Sequence, residues 1–196
     1  MLKLLYPLPK HLTVAFSGGV DSVAVVDFLS RKHNVTCAFF HHKTENSEKA
    51  MKFVAHFCTE RKLPLIFGTC RSERGKEESM EEYWRRERYD FLKDLGPVVT
   101  AHHLDDCIET YIWSALNGTP KVPQLTRGNI IRPFLTTPKN EFLSWCQRHA
   151  LEWYEDTSNI DTKFTRNYIR HELMPHALKV NPGLGTVVKK IVEKQL

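Results

Sequence analysis

The chain has 196 residues, enough for one ordinary domain with a sizeable core and too few for a second large domain. Its hydrophobic fraction of 41% and charged fraction of 26% are those of a globular protein and exclude a disordered one. The net charge of +5, from 28 Lys and Arg against 23 Asp and Glu, favours an anionic partner such as a nucleotide or RNA about as much as it favours simple solubility.

The cysteines and the first residues of the chain bear on its compartment. The 5 cysteines are odd in number and widely spaced, and no Cys-x-x-Cys pair occurs, so neither a disulfide framework nor a zinc site is indicated. The start, MLKLLYPLPK, is broken too early by prolines to be a signal peptide, and no apolar run approaches the length of a membrane span. We therefore expect reduced, mostly buried cysteines in a soluble cytoplasmic protein without a membrane partner.

Apolar runs of strand length alternate with longer segments of helical period. The runs are LTVAF, VTCAFF, LPLIFGTC and PVVTAHH, and the helical segments that follow them cover 21–32, 47–62, about 77–94 and 104–117. A fifth strand, NIIRPFL, precedes a helix at about 138–150. The alternation predicts an α/β fold with a doubly wound, mainly parallel five-stranded sheet, helices on both faces and a short helical C-terminal tail. Gly118 fits a helix C-cap, and 117–128 is predicted to be an exposed loop.

The turn after the first strand reads SGGVDS. In a doubly wound sheet, ligands bind beyond the carboxyl ends of the strands, beside the switch in strand order. Gly18 and Gly19 allow positive φ and a close approach of backbone N–H groups, and the start of the following helix favours an anion. Ser17 and Ser22 add hydroxyl donors, so the turn is a predicted phosphate cradle, although it matches neither the P-loop nor the dinucleotide fingerprint. The alternative is a tight turn in which Asp21 or Ser22 only caps the helix.

Acids and histidines follow the fourth predicted strand in AHHLDDCIET. ATP chemistry usually needs Mg²⁺, which binds through one or two carboxylates together with phosphate oxygens and water. Asp21 and one of Asp105 or Asp106 could supply those carboxylates. A single acid here could instead only complement the helix dipole. Zinc at His102 and His103 is disfavoured, because adjacent strand residues point to opposite faces.

Two pairs of charged residues lie three positions apart in predicted helices, so the members of each pair are neighbours. Asp106 and Glu109 form the first pair, at the strand-proximal end of the fourth helix. Arg85 and Arg88 form the second, in SMEEYWRRERYDFL, whose apolar stripe is interrupted where Glu87 and Arg88 fall. These arginines could pair with the acids of the preceding helical turn, or they could contact phosphate or RNA, for which a planar guanidinium is suited.

Motifs that cover most of the chain resemble those of a known family. SGGVDS resembles the pyrophosphate-binding loop of the N-type ATP pyrophosphatases, which cleave ATP to AMP and pyrophosphate while activating a substrate as its adenylate. EEYWRRERY is similar to the E-E-A-A-R-x-x-R-Y run of the tRNA(Ile)-lysidine synthetase family. AHHLDDCIET, IIRPFL, WYEDTSN and RNYIRHELMP continue the resemblance in the order of that family.

The resemblance implies a ligase reaction in two steps. ATP would adenylate the C2 oxygen of the wobble cytidine in the CAU anticodon of tRNA(Ile), and pyrophosphate would leave. The ε-amine of L-lysine would then attack C2, expel AMP and leave lysidine. The implied cofactors are ATP and Mg²⁺.

The resemblance also implies roles for individual residues. Those that would bind the ATP phosphates are Ser17, Gly18, Gly19, Asp21 and Ser22. The candidate catalytic residues are Asp21, Asp106 and Glu109, of which Asp21 and Asp106 would lie near Mg²⁺ and Glu109 near the lysine amine. The candidate contacts for tRNA, ATP or another phosphate are Arg85, Arg88, Arg166 and Arg170.

The stretch after the second predicted strand departs from the family pattern. It reads His41-His42-Lys43-Thr44-Glu45, where the family usually has Asn-His-Gly-Leu-Arg. A histidine is kept, but an acid stands in place of the arginine. The contact of that arginine is therefore expected to be absent or supplied elsewhere, for example by Lys43.

The length of the chain is the second departure. We expect residues 1–160 to form the PP-loop catalytic domain and residues 161–196 to form a helical extension packed on it. No separate C-terminal tRNA-binding domain of the kind found in the cellular enzymes is expected. A homodimer could supply the missing RNA-binding surface.

Three other functions stay open. A PP-loop tRNA 2-thiolation enzyme would also adenylate a base but would deliver sulfur, generally with paired cysteines or a cluster, and the cysteines here are scattered. Amide-forming relatives such as NAD or GMP synthetase match the RNY and WYEDTSN motifs less well. A non-catalytic nucleotide- or RNA-binding relative would not need to keep Asp21, Asp106 and Glu109 together.

Overall fold

A doubly wound sheet lies at the centre of the computed structural model, which describes residues 2–156 and 162–196. Its strands are β1 (His11–Ala15), β2 (Asn34–His41), β3 (Leu65–Thr69), β4 (Val98–Val99), β5 (Thr126–Arg127) and β6 (Ile130–Ile131). They lie in the order β3-β2-β1-β4-β6-β5, and every neighbouring pair is parallel except β5 and β6. The predicted fold class is confirmed.

The sheet has six strands instead of five, because the end of the loop predicted at 117–128 turns back along β6. Gly128, with φ 59°, makes the turn possible. The side chain of Asn129 then donates to the carbonyls of Leu92 and Gly96 at 2.8 and 2.6 Å, which fixes the turn on the sheet. The sixth strand therefore depends on contacts with distant residues.

The helices between the strands are α1 (Val20–Ser30), α2 (Glu45–Glu60), α3 (Met80–Leu92), α4 (Leu104–Leu116) and α5 (Lys139–Arg148). All five match predicted segments, and their ends differ from the predicted ones by three residues at most. Gly118 lies just beyond α4 with φ 76°, the left-handed conformation expected of a glycine that ends a helix.

The helical tail consists of α6 (Thr165–Tyr168), a π-helical turn (Ile169–Leu173), α7 (Met174–Val180) and α8 (Leu184–Glu193). It packs on α4, where Val188 and Val192 of α8 bury against Leu104 and Ile108. The predicted domain boundary at residue 160 and the last residues of WYEDTSN lie outside the described residues. None of the described helices is long and apolar enough to cross a membrane.

Apolar side chains cover both faces of the sheet. Val14 and Cys37 are partners across β1 and β2, and they face α1, α2 and α5 in the main core. Ala38 and Val98 face the other side, where they pack with Leu92 of α3. Helices therefore lie on both faces, as predicted. All 5 cysteines are buried and free, also as predicted.

The order of strand addition reverses between β1 and β4. The chain adds β2 and β3 on one side of β1 and then adds β4 and β6 on the other. Connections that leave β1 and β4 therefore diverge and open a crevice at the carboxyl edge of the sheet. SGGVDS leaves β1 at this crevice and AHHLDD follows β4 there, so the fold brings the two main motifs together.

A buried carboxylate fastens the loop after β3 to α3. Glu87 is 6% exposed and accepts hydrogen bonds from the backbone N–H groups of Arg71 and Ser72 and from the Ser72 hydroxyl. Arg86 also donates to it at 2.7 Å. The Ser72 hydroxyl, the two N–H groups and the charge of Arg86 lower the pKa of Glu87 to about 2. The interruption of the apolar stripe at Glu87 is therefore structural.

Glu87→Gln should lower the free energy of unfolding at pH 7 by about 1–3 kcal/mol, because an amide group then faces donors that need an acceptor. The folded pKa lies below the ordinary 4.5, so this stabilisation is present above about pH 4.5 and is lost as the pH falls toward 2. Urea unfolding should show a wide gap between wild type and variant at pH 7 and a narrower gap at pH 3.

The matched control is Glu81→Gln, which changes an exposed residue of the same helix. It should alter the free energy of unfolding by less than about 0.5 kcal/mol at either pH. A gap for Glu87→Gln that keeps its full size at pH 3 would contradict the assignment of the stabilisation to the ionised carboxylate.

Candidate active site

The two glycines of the loop between β1 and α1 differ in conformation. Gly18 has φ 85°, and a Cβ at this position would lie 3.1 Å from the Phe53 ring and 3.2 Å from Val54. Gly19 is the N-cap of α1 with φ −70°, and a Cβ there would meet only the Ser17 hydroxyl, at 3.7 Å. The backbone and the packing therefore require the first glycine, whereas the second leaves room on the loop for a ligand.

Hydrogen bonds hold the loop in place. The hydroxyl oxygens of Ser17 and Ser22 are 3.2 Å apart, and Ser22 also donates to the Gly19 carbonyl at 2.9 Å. The Tyr154 backbone N–H donates to the Gly18 carbonyl at 2.9 Å, so the segment after α5 supports the loop from outside. The structure thus places the predicted phosphate-binding residues in one fixed turn at the start of α1.

Asp21 lies in the first turn of α1 without capping it. The N-cap is Gly19, and no side chain accepts a capping hydrogen bond there. Asp21 Oδ2 lies 3.5 Å from His103 Nε2, while Oδ1 is buried and has no hydrogen-bond partner among the described residues. The capping alternative is therefore wrong. Since a buried polar atom without a partner costs free energy, Oδ1 is suited to bind a ligand.

His103 lies between Asp21 and the acids of α4. Its ring is 2% exposed, and Nδ1 lies 3.6 Å from both Asp105 and Asp106. Burial opposes a charged ring, but the neighbouring carboxylates, Asp106 foremost, outweigh it and raise the pKa of His103 above 6.5. Asp105 also accepts the Lys139 backbone N–H at 2.8 Å, which joins it to the start of α5. His103 therefore links the two acidic groups that the sequence predicts.

Asp106 and Glu109 lie side by side, as their spacing predicts, and arginines from the helical tail bind both. Arg166 donates to Asp106 Oδ1 at 2.6 Å and to Glu109 Oε2 at 2.8 Å. Arg170 donates to Glu109 Oε1 at 2.6 Å and to Oε2 at 3.2 Å. Despite burial, the charges of His103 and Arg166 hold the pKa of Asp106 well below 3.8. Four of the predicted site residues thus form one ion-paired group.

Arg85 and Arg88 do not belong to that group; they surround Tyr89. The Arg85 guanidinium lies 4.7 Å from the centroid of the Tyr89 ring, and that of Arg88 lies 5.6 Å from it. Among the described residues, neither arginine forms an ion pair with Glu81 or Glu82, the acids of the preceding helical turn. Burial and the nearby charges of other arginines lower the pKa of Arg88.

Arg132 completes this second group and was not among the predicted site residues. It is 4% exposed and donates to the Tyr89 hydroxyl at 3.1 Å and to the Gln124 carbonyl at 2.8 Å. A signal for it exists in the sequence, because Arg132 interrupts the apolar strand of IIRPFL just before a proline. A charged residue at the end of a buried strand is typical of a site.

His102 lies between the two groups. Its Nδ1 is 2.8 Å from the Thr100 hydroxyl. Burial, together with the charges of Arg166, Arg132 and Arg88, lowers the pKa of His102 to about 3 in spite of the nearby Asp106. The ring is therefore neutral at pH 7. It lies between the acids next to His103 and the arginines next to Tyr89.

Lys43, the suggested substitute for the missing arginine, is exposed and has φ 59°. Its backbone N–H donates to His41 Nδ1 at 3.0 Å. The left-handed conformation at this position suits the glycine of the resembled pattern. Thr44 then caps α2 by accepting the Ser47 N–H at 3.1 Å.

The fold and the loop together define an α/β protein with a candidate phosphate site at its topological switch point. The family model of the PP-loop domain matches residues 3–177, and the chain belongs to this family.

Curated relatives also match most of the chain. The chain is 34% identical over 193 residues to the tRNA(Ile)-lysidine synthase of Legionella pneumophila (strain Lens), covering 90% of this chain and 44% of that protein. It is 29% identical over 204 residues to the tRNA(Ile)-lysidine synthase of Thermotoga sp. (strain RQ2), covering 93% and 49%. The chain spans less than half the length of these relatives.

A solved structure shares the fold at lower identity. The NH3-dependent NAD synthetase from Campylobacter jejuni is similar with a TM-score of 0.54 and 18% identity, over 96% of this chain and 86% of that one. This similarity supports the doubly wound architecture alone.

Gly18→Ala should lower the free energy of unfolding by about 1–3 kcal/mol, because it adds a Cβ at positive φ against Phe53 and Val54. Gly19→Ala makes the same chemical change one residue later, at ordinary φ and in open space, and should cost less than about 1 kcal/mol. Urea unfolding of the two variants checks this order. Equal losses would contradict the different roles assigned to the two glycines.

Proposed function

We propose that this PP-loop domain catalyses ATP-dependent formation of lysidine on tRNA(Ile). ATP adenylates the C2 oxygen of the wobble cytidine in the CAU anticodon, and the phosphoanhydride bond that breaks releases pyrophosphate. The ε-amine of L-lysine then forms a bond to C2, and the C2–O bond breaks to release AMP. The relatives named tRNA(Ile)-lysidine synthase support this choice of RNA and reaction.

One observation carries the proposal: a glycine-rich loop, with an Asp21 oxygen that has no partner among the described residues, opens on the same crevice as Asp106 and Glu109. A reaction that releases pyrophosphate and then admits an amine needs an anion site and a cation site next to each other. The crevice offers both within reach of His103, which contacts Asp21 on one side and Asp106 on the other. Proximity of the reactants is the main contribution that such a site makes to the rate.

The loop is the proposed ATP-phosphate site. Ser17 and Ser22 offer hydroxyl groups, and the backbone N–H groups at Gly18 and Gly19 approach a ligand without obstruction from a side chain. The positive end of the α1 dipole stabilises the negative charge that develops on departing pyrophosphate. No covalent nucleophile is required in either step.

Mg²⁺ fits this site through Asp21, whose Oδ1 has no other partner among the described residues. Asp106 fits less directly, because Oδ2 accepts the backbone N–H of His103 at 3.0 Å and Oδ1 accepts from Arg166. The described residues contain no cluster of three or more His, Cys, Asp or Glu side chains suited to a metal, so phosphate oxygens and water would complete the coordination. When bound, Mg²⁺ neutralises charge on the phosphates.

Glu109 is the proposed site for the lysine amine. It is 2% exposed and binds two guanidinium groups, so its surroundings already accommodate cations. We propose that the lysine amine replaces part of the Arg170 contact, is oriented toward C2, and passes its proton to the carboxylate as the new bond forms. Arg166 would keep its contact with Asp106, and its remaining N–H donors would be available to the adenylate phosphate or to tRNA.

Sulfur delivery fits the chain less well than lysine transfer. A cysteine that carries sulfur must be an accessible thiolate, but all 5 cysteines are buried. Burial raises the pKa of the Cys146 thiol to about 12, which disfavours the thiolate further.

The purified protein with ATP, Mg²⁺, L-lysine and a tRNA(Ile) transcript bearing CAU should yield pyrophosphate, AMP and a modified nucleoside. Mass spectrometry of the digested RNA should find cytidine heavier by lysine minus water. AMP formation that needs tRNA but is indifferent to lysine, with no lysidine in the digest, would show that the proposed function is wrong.

Asp21→Asn should reduce turnover by about 100-fold or more, because the amide cannot supply the negative oxygen proposed to face Mg²⁺. The thermal midpoint should stay close to that of wild type, since Oδ1 has no hydrogen-bond partner among the described residues and an amide oxygen can keep the 3.5 Å contact of Oδ2 with His103. Asp94→Asn, which changes an exposed acid in the same way, should leave both properties unchanged. A parallel loss of stability and activity in Asp21→Asn would favour a structural role instead.

A further inference from the structure

Three arginines converge on one tyrosine at the edge of the crevice. Arg132 donates to the Tyr89 hydroxyl at 3.1 Å, and Arg85 approaches the same oxygen at 3.5 Å. The guanidinium groups of Arg85 and Arg88 also face the Tyr89 ring, 4.7 and 5.6 Å from its centroid. We refer to these four residues as the arginine–tyrosine cluster.

No described carboxylate lies within ion-pair distance of the three arginines of the cluster. The neighbouring Arg86 differs, because it binds Glu78 at 2.9 Å and Glu87 at 2.7 Å. Guanidinium groups that are buried or half-buried without a counter-charge raise the free energy of the fold. An anionic ligand would compensate this charge, and planar guanidinium groups suit phosphate in particular.

The cluster opens on a cavity of about 980 Å³ between α3 and the β5–β6 hairpin. Arg85 and Tyr89 line this cavity, and so does Arg127 of β5. Exposure falls from Arg85, which is exposed, through Arg88, which is half-buried, to Arg132, which is 4% exposed. The positive charges therefore continue from the open cavity inward to the crevice.

Four acids line the cavity together with four cationic side chains, so the wall as a whole is close to neutral. Glu78 pairs with Arg86 and Asp90 with Lys93, whereas the Glu82 carboxylate accepts from Ser79, which carries no charge. Glu73 is the remaining lining acid. Arg85 and Arg127 form no ion pair among the described residues, so they remain free to meet an anion entering the cavity.

The position of the cluster favours RNA over the ATP phosphates. Arg132 follows β6, and β4 lies between β6 and β1, so two strand spacings of about 5 Å each separate it from the glycine-rich loop. That loop already offers backbone N–H groups to a triphosphate. An RNA strand in the cavity would instead place one phosphate at the cluster while the neighbouring nucleotide reaches the acids of α4.

We propose that the arginine–tyrosine cluster binds a phosphodiester group of the RNA substrate next to the nucleotide that is modified, and that Arg127 extends this path along the cavity. The inference rests on the proposed function for the identity of the RNA. Arg132 orients the cluster through the Tyr89 hydroxyl, while Arg85, Arg88 and Arg127 contact the backbone. Contacts of this kind position RNA without reading its sequence.

The test measures RNA binding and ATP binding separately in Arg85→Gln and Arg127→Gln. The probes are a fluorescent tRNA(Ile) transcript bearing CAU, followed by anisotropy at several salt concentrations, and Mg-ATP in equilibrium dialysis. Each variant should weaken RNA binding by about 3- to 10-fold and reduce the slope of log K against log salt by about one. Affinity for Mg-ATP should stay within about twofold of wild type, since neither side chain contacts the loop.

Arg148→Gln is the matched control, because it removes the same charge from an exposed helical residue of α5 on the opposite face of the sheet. It should leave the salt slope unchanged. Arg132→Gln should weaken RNA binding by about 10-fold or more, and its folding is checked by urea unfolding. If it does not fold, the two exposed variants still decide the question.

Unchanged RNA affinity and salt slope in both exposed variants would overturn the proposal. Loss of Mg-ATP affinity with RNA binding intact would also overturn it and would assign the cluster to the triphosphate. Failure of the proposed function has a different result: RNA binding depends on the cluster, yet wild type forms no lysidine. If wild type makes lysidine but substitutions at Arg85 and Arg127 leave RNA binding unchanged, the proposed role of the arginine–tyrosine cluster is wrong and the proposed function stands.

Discussion

The carboxylates of Asp106 and Glu109 are buried at the carboxyl edge of the sheet, and they are tolerated there because Arg166 and Arg170 bind them. Two unpaired carboxylates in this position would cost several kcal/mol each. The ion pairs therefore tie the helical tail to the start of α4, and the apolar packing of α8 on α4 holds the tail in place. Arg166 lies in α6 and Arg170 in the π-helical turn, and both reach Glu109 because side chains four apart face the same side of a helix.

Much of the fold could be predicted because strand and helix periods are local properties of the sequence. Buried parallel strands give short apolar runs, and the helices between them repeat with a different period. The β5–β6 hairpin escaped prediction for a physical reason. Two-residue strands leave no periodic signal, and this hairpin is set by Gly128 and by Asn129, whose partners lie more than 30 residues away.

Part of the candidate site could likewise be predicted from local sequence, and part could not. The SGGVDS loop could be predicted because its glycines, hydroxyls and acid lie within six consecutive positions. The linking role of His103 and the contribution of Arg132 could not, because they depend on which side chains β4, β6 and α3 bring together. Helix α3 shows the limit well: Arg85, Arg86 and Arg88 look alike in the sequence, but only Arg86 meets carboxylates in the described structure.

Negatively and positively charged side chains lie on different sides of the crevice. Its acids lie along the β1 and β4 side, around His103, whereas the arginines without an ion pair in the described part of the chain lie along β6 and α3, around Tyr89. His102 stands between them and stays neutral at pH 7, since burial and the charges of three neighbouring arginines lower its pKa to about 3. A protein that only held ATP would need the glycine-rich loop, which leaves β1 beside the acids, and would not need the arginines of the other half. In the proposed function, the acidic half, already occupied by cationic side chains of this chain, receives the amine, and the arginine half receives the nucleic acid.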